Sequence, residues 1–230
     1  MTRRLFTGSI VAAAVSAKDR VIVATFDDAP ASHASFVAPL MKKYGFGATF
    51  FVCEFPPDFE DKSKYMTWEQ IRELDRMGFE VASHTRTHKH VDKMTPAEFG
   101  LELQWVEDKF ASLGIRKPAS FAYPSYVTRP YAIDVLKARG YKYGRAGFDR
   151  VYFPDKDDPY LMPSLTMRDN NKQAVIDFVE QAGEGKVAVL TIHGVPDIAH
   201  PWVNTPPALF EEHLEYWKKH GFKVIAMRDL

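Results

Sequence analysis

Apolar runs and helix-period stretches alternate along this chain from Val21 onward. The first run, Val21-Ile22-Val23-Ala24-Thr25-Phe26, is continuous and β-branched, the pattern of a strand covered on both faces, and a helical stretch over Phe36 to Lys43 follows it. A second run, Ala48-Thr49-Phe50-Phe51-Val52, leads through a proline-rich loop to Thr67-Trp68-Glu69-Gln70. That tetrapeptide is a capping box and predicts a helix ending before Gly78. Phe79 to Ser83 predicts a short strand, and Thr95-Pro96-Ala97-Glu98 a second capped helix start with Pro96 at its first position. Behind it Phe99, Leu103, Val106, Phe110 and Leu113 share one helix face, which Gly114 terminates. Further strands are expected at Ser120 to Tyr123, Tyr141 to Gly144, Val187 to Ile192 and Phe222 to Met227. Helices are expected between them, near Pro130 to Ala138, Gln173 to Gln181 and Pro207 to Lys219. Phe148 to Asn170 has no periodicity and reads as a loop over one rim.

Strands alternating with helices indicate an α/β fold of parallel β/α units, which puts ligand sites at the carboxyl ends of the strands. The length of 230 residues, 46% of them hydrophobic, suits one domain, expected over residues 18–230. With 30 basic and 30 acidic residues there is no net electrostatic pull, so nucleic acid is not an expected partner. The single cysteine, Cys53, lies in an apolar run as a small core residue, and any metal site has to come from histidines and carboxylates. Arg3 and Arg4 precede the apolar stretch Leu5 to Val15, which ends in Val15-Ser16-Ala17. This layout predicts an export signal over residues 1–17 and a periplasmic or extracellular destination; Thr2-Arg3-Arg4-Leu5-Phe6 resembles a twin-arginine signal. The apolar stretch is too short to span a bilayer, and no other segment approaches that length.

Three strand ends carry the candidate chemistry. Asp27 and Asp28 leave the first strand together; such neighbours repel unless a cation offsets them, although one of them capping the next helix is a competing reading. Ser83-His84-Thr85-Arg86-Thr87-His88 follows the third strand, and as one helical turn it puts His84 and His88 on the same face, within reach of one ion. His90 would point away from that face. Leu190-Thr191-Ile192-His193-Gly194 delivers His193 at the end of another buried strand.

Together, Thr25-Phe26-Asp27-Asp28, Ser83 to His88 and Leu190 to Gly194 resemble the polysaccharide deacetylase family, the NodB-homology domain of carbohydrate esterase family 4. The resemblance implies a distorted (β/α)7-type barrel of parallel strands and removal of acetyl groups from N- or O-acetylated saccharides. It implies one divalent metal ion, zinc above others, held by Asp28, His84 and His88, with Asp27 as general base and His193 as general acid. Hydrolysis of other amides or acetyl esters on the same fold, and carbohydrate binding without catalysis, are the alternatives.

The chain departs from the family at Phe121-Ala122-Tyr123-Pro124-Ser125-Tyr126, where Ala122 stands in place of an arginine that pairs with the base. Arg145 and Arg168 are both candidates to replace it. Ser125 offers a backbone N–H to an oxyanion at the position of the motif's aromatic residue, beside Pro124. Tyr123, Tyr126 and Trp202 offer ring faces to a sugar, and His200 reads as a rim histidine, with a visit to the metal as the alternative.

Overall fold

The computed structural model describes residues 19–230; the expected export signal over residues 1–17 lies outside the described residues. Strand β1 (Val21–Asp27) is buried along its whole length, and its two faces go to different places. Ile22, Ala24 and Phe26 join a core shared with the helices, whereas Val21 and Val23 pack inside the barrel with Phe51, Ala82, Ala122, Met162, Val187 and Val189. Successive strand residues point to opposite faces, so a doubly covered parallel strand reads as one continuous apolar run.

The remaining strands are β2 (Thr49–Val52), β3 (Glu80–Ser83), β4 (Ser120–Ala122), β5 (Tyr143–Phe148), β6 (Met162–Thr166), β7 (Val187–Ile192) and β8 (Lys223–Ile225). They pair in parallel in the order β2-β3-β4-β5-β6-β7-β1-β8, and an additional β1–β2 pairing closes seven of them into a barrel. Closure is staggered. The first half of β1, Val21 to Val23, pairs with β8, and the second half, Thr25 to Asp27, pairs with β2. The chain entering β2 therefore runs against β8 with no room for a side chain: Gly47 N–H donates to Val224 O at 2.8 Å, and a Cβ on Gly47 would lie 2.8 Å from the Ala226 nitrogen.

Helices α1 (Ala38–Tyr44), α2 (Trp68–Arg76), α3 (Pro96–Leu113), α4 (Pro130–Ala138), α5 (Lys172–Val179) and α6 (Pro207–Lys219) cover the barrel. Their apolar faces, such as Ile71 and Leu74 of α2 or Phe210, Leu214 and Trp217 of α6, complete the outer core. Both predicted capping boxes form, Thr67 with Gln70 and Thr95 with Glu98, and Gly114 ends α3 in the left-handed conformation at φ 68°. No helix among the described residues is long and apolar enough to cross a membrane.

Two expectations need correction. The stretch Phe148 to Asn170 is not all loop, because β6 lies inside it and pairs with both β5 and β7. Its five residues include Pro163, which depresses the strand signal, and polar loop flanks it. The strand expected at Tyr141 to Gly144 runs instead over Tyr143–Phe148, further toward the rim.

Two measurements check this packing. Gly47→Ala forces a Cβ into the β8 backbone and should lower unfolding free energy by about 1–3 kcal/mol, read as a fall in the urea midpoint. Burial in α6 pulls the His213 imidazole down to about 4, with the charge of Lys172 adding to the effect. Between its ordinary value of 6.5 and 4 the unfolded chain then binds the extra proton and the folded chain does not. Stability relative to His213→Gln should therefore fall as pH drops through that window, by up to about 3 kcal/mol. Parallel pH profiles for the two proteins would reject neutral burial.

Candidate metal centre and active site

Parity along the strands delivers most of the site. Inward positions of β1 run Val21, Val23, Thr25, Asp27, and those of β7 run Val187, Val189, Thr191, with His193 one pleat further. The barrel interior thus changes from apolar at the amino ends of the strands to hydroxyl and then to titratable groups at the carboxyl ends. Asp28, as the next residue after Asp27, would point outward if β1 continued. It does not continue: Asp28 and Ala29 take left-handed φ angles of 75° and 56°, a conformation that costs a non-glycine residue about 1 kcal/mol or more. The kink turns both carboxylates toward the barrel mouth.

Asp28 Oδ1 lies 3.4 Å from His84 Nε2 and 3.6 Å from His88 Nε2. One ligand atom from each of these residues falls within 4.8 Å of the others, a spacing that suits a single ion. The donor set passes a further test, since His84 Nδ1 donates to Ala122 O at 2.8 Å. A carbonyl only accepts, so this bond fixes the tautomer and leaves the Nε2 lone pair facing Asp28. The two histidines do not reach the ion from one helical turn, as expected from their spacing. Residues 84–90 form an irregular loop with Thr85 and His88 at φ 61° and 57°, and the left-handed kinks bring His88 back beside His84. Glu102 of α3 ties this loop down by accepting from Thr87 N–H at 2.7 Å and from the Thr87 hydroxyl at 3.0 Å. His90 stays outside the ligand group.

Arg145 of β5 resolves the choice between the two arginines. Its Nη2 lies 2.5 Å from Asp27 Oδ2 with no solvent exposure, whereas Arg168 is exposed at the edge of the cavity. Asp27 Oδ1 is buried and has no hydrogen-bond partner. His193 Nε2 lies 3.7 Å from Asp28 Oδ2, and His200 Nδ1 is 3.9 Å from the same oxygen. His200 is therefore more than a rim residue. Asp197 brings it there by accepting from the Gly194 and His200 backbone N–H groups at 2.9 and 2.7 Å. Neither Asp197 nor the buried His33, whose Nε2 donates to His193 O at 3.0 Å, stands out in the sequence. Cys53 is buried as expected, with its Sγ 4.0 Å from Asp28 Oδ1.

Asp27, Asp28, His84, His88, Arg168, His193 and His200 line a cavity of about 480 Å³ together with Phe55, Tyr123, Ser125, Tyr126, Thr166, Trp202 and Val203. Tyr126 bonds its hydroxyl to Thr166 Oγ1 at 2.6 Å, Trp202 is 71% exposed on the rim, and Pro124 is buried beneath the lining. Ser125 and Tyr126 are left-handed at φ 52° and 61°. A smaller cavity of about 270 Å³ opens among strand starts at Val21, Tyr143 and Val187, away from every group discussed here.

Electrostatics favours a cation at Asp28. Burial alone would raise its carboxyl, but the His84 hydrogen bond and the attraction of the surrounding imidazoles overcome burial and hold it well below the usual range. Burial and neighbouring His84 pull His88 down to about 4, so it offers a neutral ligand nitrogen. His84 is raised: burial opposes its charged form, yet Asp27 and Asp28 outweigh burial. A proton on His84 and a metal ion are thus alternative answers to the same pair of carboxylates.

The chain belongs to the polysaccharide deacetylase family, whose profile matches residues 14–144, more than half of its length. It is 25% identical over 134 residues to a chitin deacetylase of Pestalotiopsis sp, a match covering 58% of this chain and 44% of that protein. The chain spans less than half the length of the curated relatives it matches. Among solved structures it is similar to PdaA, a family 4 carbohydrate esterase of Bacillus subtilis, with TM-score 0.65 and 20% identity over 94% of this chain and 82% of that one. A family 4 pseudoenzyme from Bacillus anthracis gives TM-score 0.66 at 17% identity, covering 94% and 66%. Likeness at these identities is likeness of fold.

Glu102 provides a test of the centre that does not require catalysis. Glu102→Ala frees the Thr87 loop and should weaken divalent-ion affinity about tenfold, as loss of an outer-shell partner does. Competition titration against a chromogenic chelator measures this, and unchanged affinity would show that the loop needs no tether.

Proposed function

We propose that this chain is a metal-dependent hydrolase that releases acetyl groups from N- or O-acetylated saccharides. The observation that carries the reading is the convergence of Asp28, His84 and His88 beside Asp27 and His193 in one cavity. Two imidazoles and a carboxylate suit zinc or a similar divalent ion, and leave positions for water and substrate. An ion held there supplies Lewis acidity, polarising the acetyl carbonyl and making water more acidic.

The chain's own groups supply the proton transfers. Asp27 has one oxygen engaged by Arg145 and one free, and the free Oδ1 takes the proton of the attacking water as the carbonyl carbon becomes tetrahedral. His193 Nε2 gives a proton to the leaving nitrogen or oxygen as its bond to the acetyl carbon breaks. Acetate and a free amine or hydroxyl result. The Ser125 N–H serves as an oxyanion donor, and the exposed face of Trp202 stacks on a sugar ring. Export, read from residues 1–17, fits a polymeric saccharide met outside the cytoplasm.

A second reading is carbohydrate binding without turnover, since the fold also serves a pseudoenzyme. The buried pairing of Asp27 with Arg145 speaks for hydrolysis, because binding alone needs neither group. Metal-loaded protein should release acetate from at least one of acetylated chitooligosaccharides, acetyl-xylan or an aryl acetate. No release from any of them, with the ion confirmed bound, rejects the hydrolase. His84→Ala should abolish ion binding and turnover together, whereas Asp27→Asn should keep the ion and lower kcat by about 10²–10⁴-fold. Full turnover in Asp27→Asn rejects it as the base.

A further inference from the structure

We propose that Arg145 is the positioning residue for Asp27, and that it does from β5 what an arginine at position 122 would do from β4. The register carries the argument. Ala122 and Arg145 are direct partners in the β4–β5 ladder, so their Cα atoms sit at one level of the barrel. Both point inward, Ala122 with the interior core and Arg145 toward Asp27 and Thr191. Adjacent strands lie about 4.8 Å apart, a shift that a long flexible stem can span. The methyl group of Ala122 leaves the space at that level to the guanidinium.

The guanidinium is held by two aromatic rings and by both of its terminal nitrogens, while Nε is buried without a partner. The guanidinium lies 5.5 Å from the Phe51 ring centre and 5.3 Å from that of Tyr126. Nη2 donates to Asp27 Oδ2 at 2.5 Å, and Nη1 donates to Thr191 Oγ1. The remaining bonds can run only one way. Ser164 Oγ donates its hydrogen to Ala146 O at 2.6 Å, so at 2.9 Å it accepts from Thr191 Oγ1, which in turn accepts from Arg145. The donor chain runs from arginine to threonine to serine and ends on the carbonyl of residue 146, next to where it began. With the fork fixed, Asp27 Oδ2 has one place to be, and the buried Oδ1 is left without a hydrogen-bond partner. Arg145 touches no substrate in this arrangement and acts through Asp27.

The turnover part of this inference rests on the proposed hydrolase; the fixing of the carboxylate does not. Two experiments keep them apart. In urea unfolding of Asp27→Asn, Arg145→Gln and the double variant, the double should be no less stable than the worse single, because each single leaves one buried charge unpaired. Additive losses would overturn the pairing, whatever the protein's activity. In turnover, Arg145→Lys keeps the charge but cannot hold Thr191 and Asp27 in one plane. It should lose at least about tenfold in kcat, with KM and ion affinity within about threefold of the parent. Ala122→Arg combined with Arg145→Ala returns a guanidinium to the same level and should recover at least about tenfold over Arg145→Ala alone. A folded double variant with no recovery, or an Arg145→Lys enzyme with full kcat, overturns the positioning role. Absence of turnover in the parent protein would instead overturn the hydrolase reading, leaving the unfolding cycle to decide the positioning of Asp27.

Discussion

A buried ion pair, Arg145 with Asp27, sits where the barrel interior changes from hydrocarbon to polar. Charges removed from water are tolerated only when paired and when their remaining donors are satisfied. The neighbouring layer meets part of that demand: Thr191 and Ser164 carry the second guanidinium donor to a backbone carbonyl, while the buried Nε has no partner. The polar layer, and hence the carboxyl-end rim, is possible because this arginine neutralises the carboxylate that strand parity forces inward at position 27. Below it Val21, Val23, Val187 and Val189 need no such arrangement.

The second carboxylate is obtained differently. Parity would send Asp28 away from Asp27, and the left-handed turn at Asp28 and Ala29 reverses that. The same device recurs at Thr85 and His88, and at Ser125 and Tyr126, none of them glycine. Such conformations are stored strain, and Asp28, His88, Ser125 and Tyr126 all line one cavity. The regular strands set the level of the site, and the kinks aim the groups that a regular strand cannot.

This division explains what could be read from the sequence. Asp27 and His193 end continuous apolar runs and were legible as strand-end groups; that they serve one site came from the resemblance, and the pleat of the strands explains their direction. His84 and His88 were legible as a pair but not in their geometry, because a left-handed histidine carries no glycine to announce it. In the sequence Arg145 stands near the end of an expected strand and Arg168 after the long loop, and only the pairing of Ala122 with Arg145 across the ladder separates them. Long-range register is invisible to a reading that moves along the chain. Strand β6 was missed for a local reason, being five residues with a proline between polar loops.

The loop after β7 shows how closely such a rim is determined. Gly194 has no room for a Cβ, which would meet the Asp197 Cα at 2.5 Å. The turn this permits lets the buried Asp197 collect the N–H groups of Gly194 and His200, while Asn204 accepts from its own N–H at 2.8 Å. His200 is thereby placed against one side of Phe55, at 5.3 Å between ring centres, with His88 against the same ring at 4.6 Å. The four imidazoles divide between the two oxygens of Asp28: His84 and His88 face Oδ1, and His193 and His200 face Oδ2. In the proposed function a cation would sit on the Oδ1 side, with His84 and His88, and leave Oδ2 to the other two imidazoles. The two oxygens of one carboxylate thus join the candidate ligand group of His84 and His88 to the two imidazoles on the other side of the cavity.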